Sequence, residues 1–297
     1  SYMILMNMEL ECKSLSLSIY ESLKEETKTV VEKGFRAPGL AVITVGDDPA
    51  SHLYVKTKTD KAEMVGYVHF QYFLNEDSRE EEIISLIESL NEKEEVDGIL
   101  VQLPLPKHLN ERRILNTIRA DKDVDGFTPI NMGSLMIGED CFVPCTPKGI
   151  IKIFEHFNIP LKGRRVLVIG RSDIVGKPLA VALMQKGRDA TVTVANSSTR
   201  DLKSLTLSSD IVISAVGKPY FLDASYFSHG SVVIDVGINR ISDSSRKRGY
   251  RTVGDVDPSG LEEKEISYTP VPGGVGLMTV AELMENTMVS YRKRIRK

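Results

Sequence analysis

Short apolar segments separated by amphipathic helical ones constrain the fold of this chain before any single motif is read. Residues 40–45, 68–74 and 97–103 read as strands, the last stopped by Pro104 and Pro106. Helical patterns over 51–65 and 79–90 separate them, and a helix over 15–31 precedes them and would cover one face. This β-α-β-α-β order implies a parallel, doubly wound sheet. A second series begins after Pro160, with strands over 164–170, 191–195, 210–216 and 231–237. Their hydrophobicity is continuous rather than alternating, as in strands buried on both faces. The expected fold is α/β with two domains. The Gly/Pro-rich stretch 125–149 reads as the crossing between them, followed by a helix over 148–157. Parallel sheets bind ligands beyond the carboxyl ends of their strands, so two such domains would flank a cleft.

Composition narrows the partners. Net charge is only −3 over 297 residues, so no global field favours nucleic acid or a membrane surface. The basic tail 292–297 reads as cations complementing the end of a helix dipole, and Arg246-Lys-Arg248 as a solvated hairpin tip. No apolar run approaches the ~20 residues of a membrane span. The start, residues 1–6, lacks a basic region followed by a long apolar stretch, so no signal peptide is expected. Three cysteines, Cys12, Cys141 and Cys145, argue for a reducing compartment rather than a disulfide framework. No CxxC or HExxH spacing occurs and the histidines are scattered, so a metal site is not expected.

The segment Gly170-Arg-Ser-Asp-Ile-Val-Gly-Lys-Pro178 follows a strand and opens a helix. It departs from GxGxxG, yet the mechanics match. Gly170 makes the turn, Gly176 permits close backbone approach, and Pro178 suits a first helical turn. Free N–H groups there would face an anion. An NAD site usually places an acid at the end of the second strand. Here that strand ends Ala195-Asn-Ser-Ser-Thr-Arg200, with no acid and one cation. With Arg171 and Ser172, this favours NADP over NAD. Gly217 lies where the third strand of this domain ends and would line the pocket by backbone. Asp235 reads as a structural acid.

Tyr54 and Lys58 share a face of the helix expected over 51–65. Gln102 closes the third strand and Asp125 sits in the turn Val124-Asp-Gly126. These residues from separate elements would converge at one sheet edge. A lysine acts as acid or base near neutral pH only where burial or lost charge lowers its pKa. Gln102 would orient Lys58 without adding charge, and Asp125 would accept two N–H bonds from an amino-pyrimidine-like edge. Lys56 falls off this face and reads as solvated. Near the C-terminus, Thr269-Pro-Val-Pro-Gly-Gly-Val-Gly-Leu-Met-Thr279 excludes ordinary helix or strand. It reads as a loop that offers bare backbone to a flat ligand, ahead of a final helix from Thr279.

Taken in order, Ser51–Lys58, Val96–Pro106, Lys122–Gly126, Pro144-Cys-Thr-Pro147, Gly170–Pro178 and Pro270–Thr279 resemble the bifunctional methylenetetrahydrofolate dehydrogenase/methenyltetrahydrofolate cyclohydrolase family. The resemblance implies a folate-binding catalytic domain over 1–146, with a helix over 275–297 returning to it, and an NADP-binding Rossmann-type domain over 147–274. It implies a cytoplasmic homodimer of one-carbon metabolism that feeds purine biosynthesis and acts on tetrahydrofolate derivatives. By this resemblance Lys58, Tyr54 and Gln102 are catalytic. Tyr54, Asp125, Pro272, Gly273 and Gly274 hold the substrate. Gly170, Arg171, Ser172, Gly176, Ser197, Arg200, Gly217 and Ile238 hold the cofactor.

This sequence departs from the family pattern at Thr128 and Asn196, where His is common, and at Leu277, which replaces a proline. The N-terminal Asp-Gly-Lys motif is absent. Leu277 predicts a looser loop. Two other readings fit less of the chain. An NADP oxidoreductase of shikimate-dehydrogenase type shares the two-domain plan but lacks a use for the Pro-Gly-Gly-Val-Gly loop. A non-catalytic folate or nucleotide sensor has no need of Lys58.

Overall fold

The computed structural model describes residues 8–295. Residues 1–6, read above for a signal peptide, and the last two residues of the basic tail lie outside that range. In chain order the elements are α1 (Lys13–Glu32), β1 (Gly39–Val45), α2 (Pro49–Met64), β2 (Val68–Leu74), α3 (Glu80–Glu92), β3 (Gly98–Val101), α4 (Glu111–Asn116), α5 (Pro129–Ile137) and α6 (Cys145–His156). Then follow β4 (Arg165–Ile169), α7 (Gly176–Leu183), β5 (Thr191–Ala195), α8 (Leu202–Leu207), β6 (Ile211–Ser214), β7 (Val232–Asp235), β8 (Asn239–Ser242), β9 (Tyr250–Val253), β10 (Ser267–Tyr268) and α9 (Val275–Ile295).

The chain forms two compact units. The first holds residues 16–145 and the chain from 280 onward. Its sheet has the order β2-β1-β3, all parallel. β1 is buried along its whole length because both faces are covered. Ile83, Ile87 and Leu90 of α3 pack on one side. Tyr20 and Leu23 of α1, Val55 and Ala62 of α2, and Leu283, Met284, Met288 and Tyr291 of α9 pack on the other. The C-terminal helix therefore completes this core. β2 is an edge strand, and Val68 and Phe73 on it are exposed.

The second unit holds residues 146–279 and 8–15. Its parallel sheet runs β10-β7-β6-β4-β5. β4, β6 and β7 are almost wholly buried. β8 and β9 pair as an antiparallel hairpin whose tip carries Arg246-Lys-Arg248. Among the described residues, no helix is long and apolar enough to cross a membrane.

Several local expectations need correction. The stretch 125–149 contains a helix, α5. Thr128 caps its start by accepting from Asn131 N–H, Pro129 occupies its first turn, and left-handed Gly138 ends it. α4 and α8, six residues each, carry too little periodicity to stand out. α9 begins at Val275, not Thr279, so Gly276 and Leu277 lie in its first turn. Leu10 N–H donates to Tyr268 O (2.7 Å) and Cys12 N–H to Gly273 O (2.9 Å), so this segment lies beside β10. The described part of the basic tail does more than face a helix end. Arg292 pairs with Glu26, Lys293 with Asp140 and Arg294 with Asp121.

Candidate active site

α2 carries the reaction residues. Asp48 caps it by accepting from Ser51 N–H, and Pro49 starts its first turn. One turn separates Tyr54 from Lys58, and Tyr54 is exposed. Lys58 Nζ donates to Gln102 Oε1 at 2.8 Å. Gln102 is buried, and its Nε2 donates to Leu103 O at 2.9 Å. That second bond fixes which end of the amide faces the lysine. β3 ends at Val101, one residue before Gln102, but Gln102 N–H still donates to Ile43 O at 2.9 Å. The residue is thus held by the sheet while lying beyond the regular strand. Lys56 points elsewhere and is paired with Asp60 at 2.6 Å.

Asp123 and Asp125 lie two residues apart and do different things. Asp123 accepts from Phe127 N–H, Thr128 N–H and Asn131 Nδ2, so it organises the turn into α5. Asp125 follows Val124 in a turn closed by left-handed Gly126. A Cβ on Gly126 would come 2.5 Å from Phe142 O, so the backbone of the next segment packs directly on this turn. Burial pushes the Asp125 carboxyl up to about 7. The Lys58 charge opposes that shift and the Asp123 charge adds to it. The catalytic unit therefore brings Lys58 and Gln102 into contact and sets Asp125 within electrostatic reach of Lys58.

The nucleotide turn is as close-packed as its glycines suggest. Gly170 has φ +118°, and a Cβ there would lie 2.5 Å from Ala215 O. A Cβ on Gly176 would lie 2.1 Å from Gly170 O. Ser172 Oγ accepts from Val175 N–H at 3.0 Å and Ser172 O from Lys177 N–H at 3.0 Å, drawing the turn into α7. Arg171 and Ser172, with Ser197 and Arg200 beyond β5, are exposed. Asn196 Oδ1 accepts from Ser198 N–H at 2.9 Å, so it shapes the turn that carries Ser197. Gly217 has φ +71° with open space where a side chain would sit. Ile238 is exposed. Such a donor-rich, side-chain-free cradle with two cations fits a dinucleotide and its phosphates.

Asp235 is structural, as expected. It accepts from Gly237, Asp255 and Val256 N–H groups, and burial raises its carboxyl to about 6. Asp255, which the sequence reading passed over, accepts from Ser214 Oγ, Val216 N–H, Lys218 N–H and Asn239 Nδ2. It holds the strand end that presents Gly217. No local pattern marks such an acid, since its donors come from distant segments. In the Pro-Gly loop, Gly273 has φ +105°, and a Cβ on Gly274 would lie 2.4 Å from Pro270 O.

The family models decide the assignment. The catalytic domain of tetrahydrofolate dehydrogenase/cyclohydrolase matches residues 10–125, and the NAD(P)-binding domain of the same family matches residues 144–295. The chain belongs to the tetrahydrofolate dehydrogenase/cyclohydrolase family. The bifunctional protein FolD of Campylobacter hominis is 47% identical over 285 residues, 96% of this chain and 97% of that protein. The crystal structure of the bifunctional FolD of Campylobacter jejuni superposes with a TM-score of 0.91 at 44% identity, covering 97% of this chain and 99% of that one. The Trypanosoma brucei dehydrogenase-cyclohydrolase, solved with NADP cofactor and inhibitor, gives a TM-score of 0.91 at 35% identity, covering 98% and 99%. As a dehydrogenase/cyclohydrolase the chain is both an oxidoreductase and a hydrolase of folate one-carbon units. Its two-domain α/β fold is that of the family.

Proposed function

We propose that this dehydrogenase/cyclohydrolase oxidises 5,10-methylenetetrahydrofolate with NADP and hydrolyses the methenyl product to 10-formyltetrahydrofolate at Lys58. The observation that carries this reading is the Lys58–Gln102 hydrogen bond within electrostatic reach of the half-buried Asp125. Bound NADP supplies the hydride acceptor for the first step. No protein base is needed there, so the chain contributes positioning. Asp125 accepts two N–H bonds from the pterin's amino-pyrimidine edge, and Tyr54 on α2 offers its ring to the same ligand; the bare backbone of Pro272, Gly273 and Gly274 is the substrate-binding segment of the other unit. In the second step water adds to the methenyl carbon, the bond to N5 breaks and the hydroxyl becomes the formyl carbonyl on N10. Neutral Lys58 Nζ takes one proton from the adding water and delivers it to N5, the other proton leaves to solvent, and Gln102 Oε1 accepts from Nζ and holds it in place.

NADP is preferred because β5 ends without an acid while Arg171 and Arg200 stand exposed with Ser172 and Ser197. The NADP bound by the Trypanosoma brucei relative supports the same choice. Gly170, Gly176, Gly217 and Ile238 supply the backbone cradle. A homodimer is supported by the unpaired outer edge of β2, where exposed Val68 and Phe73 invite a partner. A cytoplasmic setting agrees with Cys12, Cys141 and Cys145 as thiols rather than disulfides. Formyl units made this way would serve purine biosynthesis. The test is a coupled assay with methylenetetrahydrofolate and NADP, then NAD, following reduced cofactor and methenyl absorbance. Turnover with NADP above NAD is expected, and no turnover with either would sink the reading.

A further inference from the structure

We infer that Asn286, on the C-terminal helix, is a positioning residue for folate binding, acting through the Val124 carbonyl on the Asp125 carboxyl. The inference rests on the role given to Asp125 above. Asn286 is buried, and its Nδ2 donates to Val124 O at 2.9 Å, the carbonyl immediately before Asp125. The same nitrogen lies 3.4 Å from Val143 O and 3.8 Å from Cys145 Sγ. Cys145 in turn donates to Val124 O at 3.5 Å and stands 4.0 Å from Asp125 Oδ1. One amide therefore gathers the turn carrying Asp125 and the segment that packs on it.

The contrast with Asp123 explains why such a tie is needed. Asp123 is held by two backbone N–H groups and an Asn131 amide of its own neighbourhood. A carboxylate that must receive a ligand's N–H pair keeps its oxygens for the ligand, so its position has to be set through its backbone. Val124 N–H donates to Lys122 O and Gly126 N–H to Asp123 O, which define the turn itself. Asn286 supplies a fixed point from outside it. α9 is rigidly anchored around Asn286. Tyr67 Oη donates to Met284 O at 2.8 Å, and Ser290 Oγ donates to Asp97 O and Asp121 O. The helix that fills the core also sets the pterin acceptor.

A double-mutant cycle tests this. Asn286→Leu keeps the volume and removes the donor. It should raise the KM for methylenetetrahydrofolate about tenfold while leaving the KM for NADP within about twofold. Asp125→Asn alone should raise the folate KM. In that background, Asn286→Leu should add less than about twofold, because the group it positions is gone. Asn286→Ser, which retains a shorter donor, should recover part of the loss, and Asn286→Ala, which also removes the donor, replaces the leucine variant in the cycle if that fails to fold. An equal fold-change in both backgrounds would assign Asn286 a merely structural role and overturn the proposal, as would an unchanged folate KM. If Asp125→Asn leaves the folate KM unaltered, the reading of Asp125 fails first, and the proposed linkage fails with it.

Discussion

Lys58 Nζ lies 2.8 Å from Gln102 Oε1, and that amide is itself held by Leu103 O. A residue on α2 is thereby oriented by one at the end of β3, and no charge is added to the site. Replacing Lys58 by Met should lower the cyclohydrolase rate by at least about a hundredfold, the scale of general acid–base catalysis. The dehydrogenase step, which needs no protein base, should keep more of its activity. Parallel recording of reduced cofactor and of methenyl decay separates the two. Equal loss of both in a folded variant would refute the role given to Lys58.

Asp125 gives the free enzyme a defined pH signature. Its folded pKa of about 7 lies above the ordinary carboxylate value because of burial. The folded state therefore binds more protons than the unfolded chain from about pH 4 to about 7. The stability this group contributes is complete at lower pH and is lost as pH rises through 7. Asp125→Asn removes the titration, so the variant's Tm relative to the parent should climb between pH 5 and pH 8. Asp235, raised to about 6, contributes equally to both proteins and cancels in that difference. A Tm difference flat across that range would contradict the shift.

The nucleotide turn leaves no space at Gly176. Its Cβ would meet Gly170 O at 2.1 Å, backbone against backbone. Gly176→Ala should cost about 1–3 kcal/mol of stability, as overpacking does, and raise the KM for NADP more than that for folate. Urea unfolding and initial rates measure the two effects. A variant as stable as the parent with unchanged KM would show that the turn can yield.

Arg171 is exposed beside the same turn. Its loss should raise the KM for NADP about tenfold, the scale of a charge-assisted hydrogen bond, and that for NAD much less. Equal effects on both cofactors would remove the 2′-phosphate from its account.

Leu277 does not loosen the loop in the way its replacement of a proline suggests. It lies in the first turn of α9, and its N–H donates to Gly274 O at 3.1 Å. Its φ is already set by the helix. Leu277→Pro keeps that φ but deletes the N–H bond to Gly274 O, a loss confined to the first turn, so the folate KM should be unchanged or slightly lower. A marked rise would show that the leucine side chain makes its own contact with substrate.

Much of this protein is legible in local sequence. Apolar runs at strand length give the two parallel sheets, because strands buried on both faces are predominantly apolar. Gly170 and Gly176 announce their turn, because only glycine permits that backbone approach. The pairing of Tyr54 and Lys58 on one face follows from helical period alone. The capping signals at Thr128, Pro129 and Gly138 stand in the sequence as well, but the Gly/Pro content around α5 hides them.

What only the tertiary structure decided is where distant segments meet. Residues 8–12 pair with Tyr268 and Gly273, and the far end of α9 fills the catalytic core. Asp123 and Asp125 are equivalent to any local rule, yet one accepts three hydrogen bonds from the turn that follows it, while the other is half-buried and meets the Cys145 thiol at 4.0 Å. Asn286 reads as an ordinary helical asparagine until its amide is found on Val124 O, 162 residues away in the chain. Periodicity reports which face of an element is buried; it carries no information about which residue of another element lies across from it.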